Sequence, residues 1–252
     1  MRNLVVDIGN TNAKLAVFQD RELIDHQVHQ QIGADQIGAL LSYWKIGASA
    51  LSSVSADTSA VVELLRERTL YVPFSTAVSG GVLNFYRSIE TLGPDRWAKV
   101  IAAHHLYPGH DCLMIDAGTC ITFDLLNSGA EYYGGSISPG IAMRFNALNH
   151  YTGKLPLLNW NPGEIADIPE GTDTISAIRN GVLQGVMKEV TGIIADKVSG
   201  SSGLKILLTG GDAGFLLEQL KNTIFAPQII HDPYLVLKGL NEVIIAEHVQ
   251  KD

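Results

Sequence analysis

Apolar residues along this chain come in short runs broken by compact polar turns, and the turns hold most of its candidate chemistry. Leu4 to Val6 is an apolar run that ends in Asp7; Gly9-Asn10-Thr11-Asn12 follows, and Leu15 to Phe18 leads back. Gly, Asn and Thr suit tight loops, so the pattern predicts a hairpin. A third strand over Glu22 to Gln30 would complete a meander. Ile37, Leu40, Leu41 and Trp44 recur at helical spacing within Ala34 to Trp44. Next come a buried strand over Gly47 to Val54, a helix over Thr58 to Thr69 capped by Asp57 or Thr58, and a short strand over Leu70 to Phe74. Ser79 to Leu92 is looser. Gly93-Pro94-Asp95-Arg96-Trp97 then starts a helix, with proline near its first position and an acid in its first turn. That helix runs to about Leu106, and Tyr107-Pro108-Gly109 ends it.

The second half echoes the opening. A strand from Asp111 to Ile115 ends in Asp116-Ala117-Gly118-Thr119, and an apolar strand leads away from the turn. Glu131 to Ile137 is a further strand, and Pro139-Gly140 opens a helix through Asn149. Tyr151 to Gly171 is rich in Pro, Asn and Gly and reads as a surface loop. Thr174 to about Ser199 is a long amphipathic helix. Lys205 to Leu208 is a strand that delivers Thr209-Gly210-Gly211-Asp212-Ala213 into another helix. Ile224 to Ile230 forms a last short strand and Pro233 to His248 the closing helix. Strands mixed with helices in this order predict α/β layers, an antiparallel opening followed by crossover units. Two acid-tipped hairpins, one opening each half, suggest a duplicated architecture. The expected lobes are residues 1–110 and 111–252, with both turns facing a shared cleft.

Composition narrows the class. The 252 residues are 46% apolar and 17% charged, ample for a globular core. A net charge of −8 argues against nucleic acid as the main partner. An anionic substrate would need a local positive site, for which Lys14, Arg96 and helix N-termini are candidates. The two cysteines, Cys112 and Cys120, sit among apolar neighbours and read as core residues, and the eight histidines show no metal spacing. Neither a basic-then-apolar leader nor an apolar run of the roughly 20 residues that span a membrane is present, so a reducing cytoplasm is expected.

The P-loop and the Gly-x-Gly-x-x-Gly fingerprint are both missing. If ATP binds, the hairpin turns must cradle it, through backbone N–H groups and the Thr11 hydroxyl. Asp7 could hold Mg²⁺ through water and Lys14 reach the phosphates; the other reading is an ordinary hairpin with a polar tip. Asp95 could accept the proton of an alcohol during phosphoryl transfer, or only stabilise a helix terminus, worth about 0.3–1 kcal/mol. Arg96 suits a carboxylate or phosphate clamp as well as a surface ion pair. Tyr86 suits a core position, Thr174 a helix cap, and Gly210-Gly211 a tight strand-to-helix connection. Asp116 could help position Mg²⁺ from the second hairpin.

The paired hairpins resemble the phosphate-binding elements of the actin-like and sugar-kinase ATPase superfamily. Asp7-Ile8-Gly9-Asn10-Thr11-Asn12-Ala13-Lys14, with Gly93-Pro94-Asp95-Arg96-Trp97 between the hairpins, resembles type III pantothenate kinase. The resemblance continues through Tyr133 to Gly140, Thr172-Asp173-Thr174 and Thr209 to Ala213, and so covers nearly the whole chain. It implies two actin-like (ribonuclease H-like) lobes with mixed sheets and a central nucleotide cleft. The implied activity is ATP-dependent phosphorylation of the terminal hydroxyl of pantothenate, opening coenzyme A synthesis. Asp95 would be the base. Asp7, Ile8, Gly9, Asn10, Thr11, Asn12, Ala13, Lys14 and Thr119 would bind nucleotide phosphates or Mg²⁺, and Gly210 and Gly211 would lie near the adenosine. Tyr86, Gly93, Pro94, Arg96 and Thr174 would contact pantothenate, and Asp116 would hold K⁺ or NH₄⁺. A homodimer is implied, with Thr174 at a site completed by two subunits. Small departures are Pro94 where Ala is common, Lys99 where Asn is common and Asp173 for a frequent Asn. The rival readings are a superfamily kinase for another small alcohol or acid, and a kinase-like nucleotide-binding regulator.

Overall fold

In the computed structural model, residues 1–9, 11–53, 58–161, 163–164, 167–200 and 203–249 are described. The elements run β1 (Arg2–Ile8), β2 (Ala13–Gln19), β3 (Glu22–His29), α1 (Ala34–Trp44), β4 (Ala48–Ser53), α2 (Ser59–Arg68), β5 (Leu70–Pro73), β6 (Leu83–Asn84) and α3 (Pro94–Leu106). They continue β7 (Cys112–Ala117), β8 (Cys120–Leu126), β9 (Glu131–Pro139), α4 (Ile141–His150), α5 (Thr174–Val198), β10 (Lys205–Thr209), α6 (Ala213–Leu220), β11 (Ile229–His231) and α7 (Leu235–Val249).

Two compact units form, each discontinuous in sequence: residues 1–108 with 130–133 and Tyr234 onward, and residues 109–129 with 134–233. The first holds a mixed sheet in the order β3-β2-β1-β4-β5. β1 pairs antiparallel with β2 and parallel with β4, so it lies between two neighbours and its apolar run is buried on both faces. Leu4, Val6, Leu15, Val17 and Leu51 point to a core completed by α1 and α2. α7 packs against β1 and β4, and α3 packs against α7 and β4. On α3, every residue from Arg96 to Ala103 is buried, as expected of a helix covered all round. The cut expected at residue 110 did not foresee the return of α7 to this unit. Long-range polar pairs hold it there: Asn3 donates to Asn241 at 2.9 Å, and Arg21 forks onto Glu242 at 2.8 and 2.9 Å.

In the second unit, β10 pairs in parallel with β11 and with β7, and β7 pairs antiparallel with β8. Its core joins these strands to α4, α5 and α6. β9 starts in the first unit, where Glu131 and Tyr132 pair with β6. Cys112 is fully buried, and burial above all, with Asp111 nearby, pushes its thiol pKa up to about 12, as suits an inert core residue. Ile224 is 87% exposed and precedes a 3₁₀ turn over Ala226–Gln228, so the last strand is shorter than expected. Pro227 supplies no N–H to a ladder there. Among the described residues, no helix is long and apolar enough to cross a membrane.

Candidate active site

In the first hairpin, Asp7 pairs with Lys14 and Ile8 with Ala13, and the Gly9 N–H donates to the Asn12 carbonyl at 3.0 Å. Thr11 and Asn12 are exposed at the tip, Ala13 is buried, and Lys14 is half-buried. Asp7 is only 9% exposed. Asn10 lies outside the described residues, as do Val54 and Asp57 of the expected strand and cap. Directly opposed residues of an antiparallel pair share a face, so the Asp7 carboxylate and the Lys14 side chain stand on one side of the sheet. Leu51 belongs to the α1–α2 core, which assigns the next residue, Ser52, to the opposite face with Asp7.

The start of α3 belongs to the same unit. Gly93 is its N-cap, Pro94 its first residue, and Asp95 is half-buried in the first turn. A Cβ on Gly93 would stand 2.5 Å from Asp95 Oδ1, so the carboxylate folds back over the cap into space that a bare glycine leaves. Arg96 is 4% exposed, and its guanidinium carbon lies 5.5 Å from the Tyr86 ring centroid. Tyr86 in turn stacks on Tyr132 at 6.1 Å and 18°, and Tyr132 leans on Trp97 at 5.8 Å. Arg96 is therefore a buried guanidinium beside an aromatic ring rather than a surface group. Tyr132 was missed as part of this site. Its signal was an aromatic pair in a strand otherwise rich in Gly and Ser.

The second unit gathers its own set. Asp116 pairs with Thr122 and Ala117 with Ile121 around the turn Gly118-Thr119, which leaves Thr119 exposed. The Gly140 N–H donates to the Thr119 carbonyl at 3.1 Å, and a Cβ on Gly140 would fall 2.1 Å from the Gly118 carbonyl oxygen. The hairpin tip thus sits at the N-terminal end of α4, where unpaired N–H groups favour anions. Thr209 pairs with Asp116, which brings the Gly210-Gly211 turn against the end of β7. Gly210 has φ of +96°, and a Cβ there would stand 2.2 Å from the Ala117 carbonyl and 2.5 Å from Asp116 Oδ1. Both left-handed backbone and lack of room call for glycine at this position.

Beyond that turn, buried Asp212 accepts from Trp160 Nε1 at 2.9 Å. Burial raises the Asp212 pKa, opposed by the hydrogen bonds from Trp160 and the Gly163 backbone. The 151–171 segment is thereby anchored at Trp160, a tie that local pattern gave no means to find.

Thr174 is an exposed first residue of α5, not its cap. Asp173 caps the helix, accepting from the Ile175 and Ser176 N–H groups at 2.8 and 3.0 Å. Its short side chain sits one residue earlier, where extended backbone lets an acceptor turn back on the first turn. Among the described residues, no group of three or more His, Cys, Asp or Glu side chains is arranged to hold a metal ion.

Each unit's set can be compared with known proteins. The family model for type III pantothenate kinase matches residues 3–196. A type III pantothenate kinase of Bacteroides fragilis is 39% identical over 96% of this chain and 97% of its own length. One from Phocaeicola vulgatus is 40% identical, and one from Christiangramia forsetii 38%, with the same coverage of each chain. Among solved structures, a Campylobacter jejuni protein described as a Baf-family transcriptional activator superposes with a TM-score of 0.61 at 22% identity, covering 98% of this chain and 99% of that one. The activator of 2-hydroxyisocaproyl-CoA dehydratase from Clostridium difficile, with bound ADPNP, gives 0.53 at 12% identity, covering 100% and 97%. At such identities these structures speak for the shared actin-like, sugar-kinase type of fold alone, which agrees with the two mixed sheets. With the family model matching most of the chain and relatives near 40% identity along nearly all of it, this protein belongs to the type III pantothenate kinase family.

Proposed function

We propose that the chain transfers the γ-phosphoryl group of ATP to the terminal hydroxyl of pantothenate, forming 4′-phosphopantothenate, the first step of coenzyme A synthesis. The observation that carries the reading is the start of α3. There Gly93 makes room for the Asp95 carboxylate, and the next residue, Arg96, is a buried guanidinium stacked on Tyr86. Pantothenate carries a carboxylate, and the planar fork of Arg96 suits it, with Tyr86 assigned to the same substrate site. Asp95 accepts the hydroxyl proton. Phosphoryl transfer passes through a loose transition state, so correct placement of the base matters more than a raised pKa.

Lys14 and the turn between β1 and β2 bind phosphate oxygens, and Thr119, Gly210 and Gly211 are assigned to the nucleotide. The donors around Asp7 fit a hard divalent cation: a shielded carboxylate with an unpartnered hydroxyl, Ser52 Oγ, on the adjacent strand. Mg²⁺, when bound, neutralises charge developing on the transferred phosphoryl oxygens, and Asp7 would hold it through water. Asp116 is assigned to K⁺ or NH₄⁺. A homodimer that brings Thr174 to the substrate, and a cytoplasmic location, complete the proposal. The regulator reading is disfavoured by the presence together of Asp7, Asp95 and Arg96, and by the net charge of −8.

The test is coupled ADP release with pantothenate, with and without K⁺, for the wild type and Asp95→Asn. Pantothenate-dependent ADP release that falls about 100-fold or more in the variant is expected. Near-normal turnover by Asp95→Asn would remove the base, and activity indifferent to K⁺ would remove the assignment of Asp116.

A further inference from the structure

β4 holds two buried serines, and they differ in one respect. Ser49 is 0% exposed and its hydroxyl shares a 2.6 Å hydrogen bond with Thr69 Oγ1, which itself donates to the Leu65 carbonyl at 2.7 Å. Ser52 is 2% exposed, and its hydroxyl has no hydrogen-bond partner among the described residues. Leaving a buried hydroxyl unpaired is unfavourable, and alanine would avoid that cost in nearly the same volume. The face of β4 toward α3 and α7 reads Ala48, Ala50, Ser52. It changes from methyl to hydroxyl where Ser52 pairs with Asp7. Asp7 pairs on its other side with Lys14, so Lys14, Asp7 and Ser52 form one row across β2, β1 and β4, on one face of the sheet.

From this row we infer that Ser52 is a further binding residue of the phosphoryl-transfer centre. Its hydroxyl donates a hydrogen bond to a phosphate oxygen of the metal–triphosphate held at Asp7. The inference rests on the proposed function for the identity of the ligand, not for the orphaned hydroxyl. Ser52 supplies what Asp7 cannot. An ionised carboxylate only accepts, whereas a phosphate oxygen needs a donor. Lys14 offers donors from one flank and Ser52 from the other.

The test compares Ser52→Ala and Ser49→Ala with the wild type by calorimetric binding of Mg²⁺ with a non-hydrolysable ATP analogue, without pantothenate, and by melting without ligand. Ser52→Ala should melt at or above the wild-type temperature yet bind the analogue about tenfold more weakly, the loss of a hydrogen bond to a charged group. Ser49→Ala should do the reverse, melting lower with affinity kept. Wild-type affinity in Ser52→Ala, or a melting temperature several degrees below wild type, overturns the inference. Absence of pantothenate-dependent turnover by the wild type would instead count against the proposed function, and would leave the binding contrast between the two serines intact.

Discussion

The guanidinium carbon of Arg96 rests 5.5 Å from the ring centroid of Tyr86, across ten residues of chain, with only 4% of the arginine exposed. As the proposed pantothenate clamp, Arg96 would bring a planar fork that matches a carboxylate, beside an aromatic face that favours the cation. Lysine keeps the charge but loses both the fork and the stacking. Arg96→Lys is expected to raise the KM for pantothenate roughly 10- to 100-fold with a smaller change in the KM for ATP. Tyr86→Leu, which keeps apolar bulk beneath the guanidinium, should raise the KM for pantothenate only several-fold. Initial rates over a grid of the two substrates separate these effects, and equal shifts in both KM values would place Arg96 outside the pantothenate site.

Gly93 and Asp95 are coupled by space. A methyl group at 93 would stand 2.5 Å from Asp95 Oδ1, so Gly93→Ala must swing the carboxylate while leaving its charge in place. Displacing a base by about 1 Å can cost on the order of 100-fold in rate. Gly93→Ala is therefore expected to lower kcat by roughly 10- to 100-fold with the KM for ATP unchanged, measured by the same ADP-release assay. Wild-type kcat would mean that the observed position of Asp95 is not the one that matters.

Much of this was legible in the sequence where the information is local. α1 spans Ala34–Trp44 as the apolar spacing indicates, and α3 begins at Pro94 because a proline and a first-turn acid mark a helix start. Both hairpins close where Gly and Thr interrupt apolar runs. What escaped is what depends on partners far along the chain. Arg96 is buried because Tyr86 supplies its stacking face and Tyr132 backs that ring from β9. α7 joins the first unit through Asn3 with Asn241 and Arg21 with Glu242, pairs more than 200 residues apart. The cap of α5 was assigned one residue late, since Asp173 and Thr174 are both able cap residues and only the backbone of residue 173 decides between them.

Gly210 is expected to be among the least replaceable positions of the second unit. With φ of +96° and the Ala117 carbonyl 2.2 Å from any Cβ, Gly210→Ala faces strained backbone and a clash with main chain that cannot yield as a side-chain tip would. Strain of this kind costs about 1–3 kcal/mol before the clash is added, or a fall in Tm of roughly 2–12 °C for a chain of this size. Because the same turn abuts Asp116, affinity for the ATP analogue should fall together with stability. Gly181, where nothing lies within 4 Å of a Cβ, offers the control, and Gly181→Ala in the middle of α5 should melt at or above wild type. Equal melting of the two variants would contradict the packing described for the 210 turn.

Two carboxylates in the second unit shift in opposite directions, and pH separates them. The backbone N–H of Ser176 first, then its hydroxyl and the Ile175 N–H, lower the Asp173 pKa. A carboxyl whose folded pKa is depressed contributes stability that is present above its ordinary value, about 4, and is lost as pH falls toward the folded value. Asp173→Asn keeps an acceptor for the cap but not the charge at the helix end, so it should melt below wild type at neutral pH, with the gap closing in acid. Asp212 behaves the other way, because burial raises its pKa against the opposing bonds from Trp160 and Gly163. Folding then favours its protonated form, a contribution complete below about pH 4 and lost as pH rises through the raised folded value. Asp212→Asn keeps an acceptor for Trp160 Nε1 while removing the ionised form. It should therefore melt at or above wild type near pH 7, with no gap near pH 3. Melting curves from pH 3 to 8, with Trp160 fluorescence to confirm that the indole stays in place, check both signs at once. An Asp212→Asn variant that is less stable at neutral pH would show that the carboxylate's bonds to the 160–163 segment outweigh the cost of burying its charge.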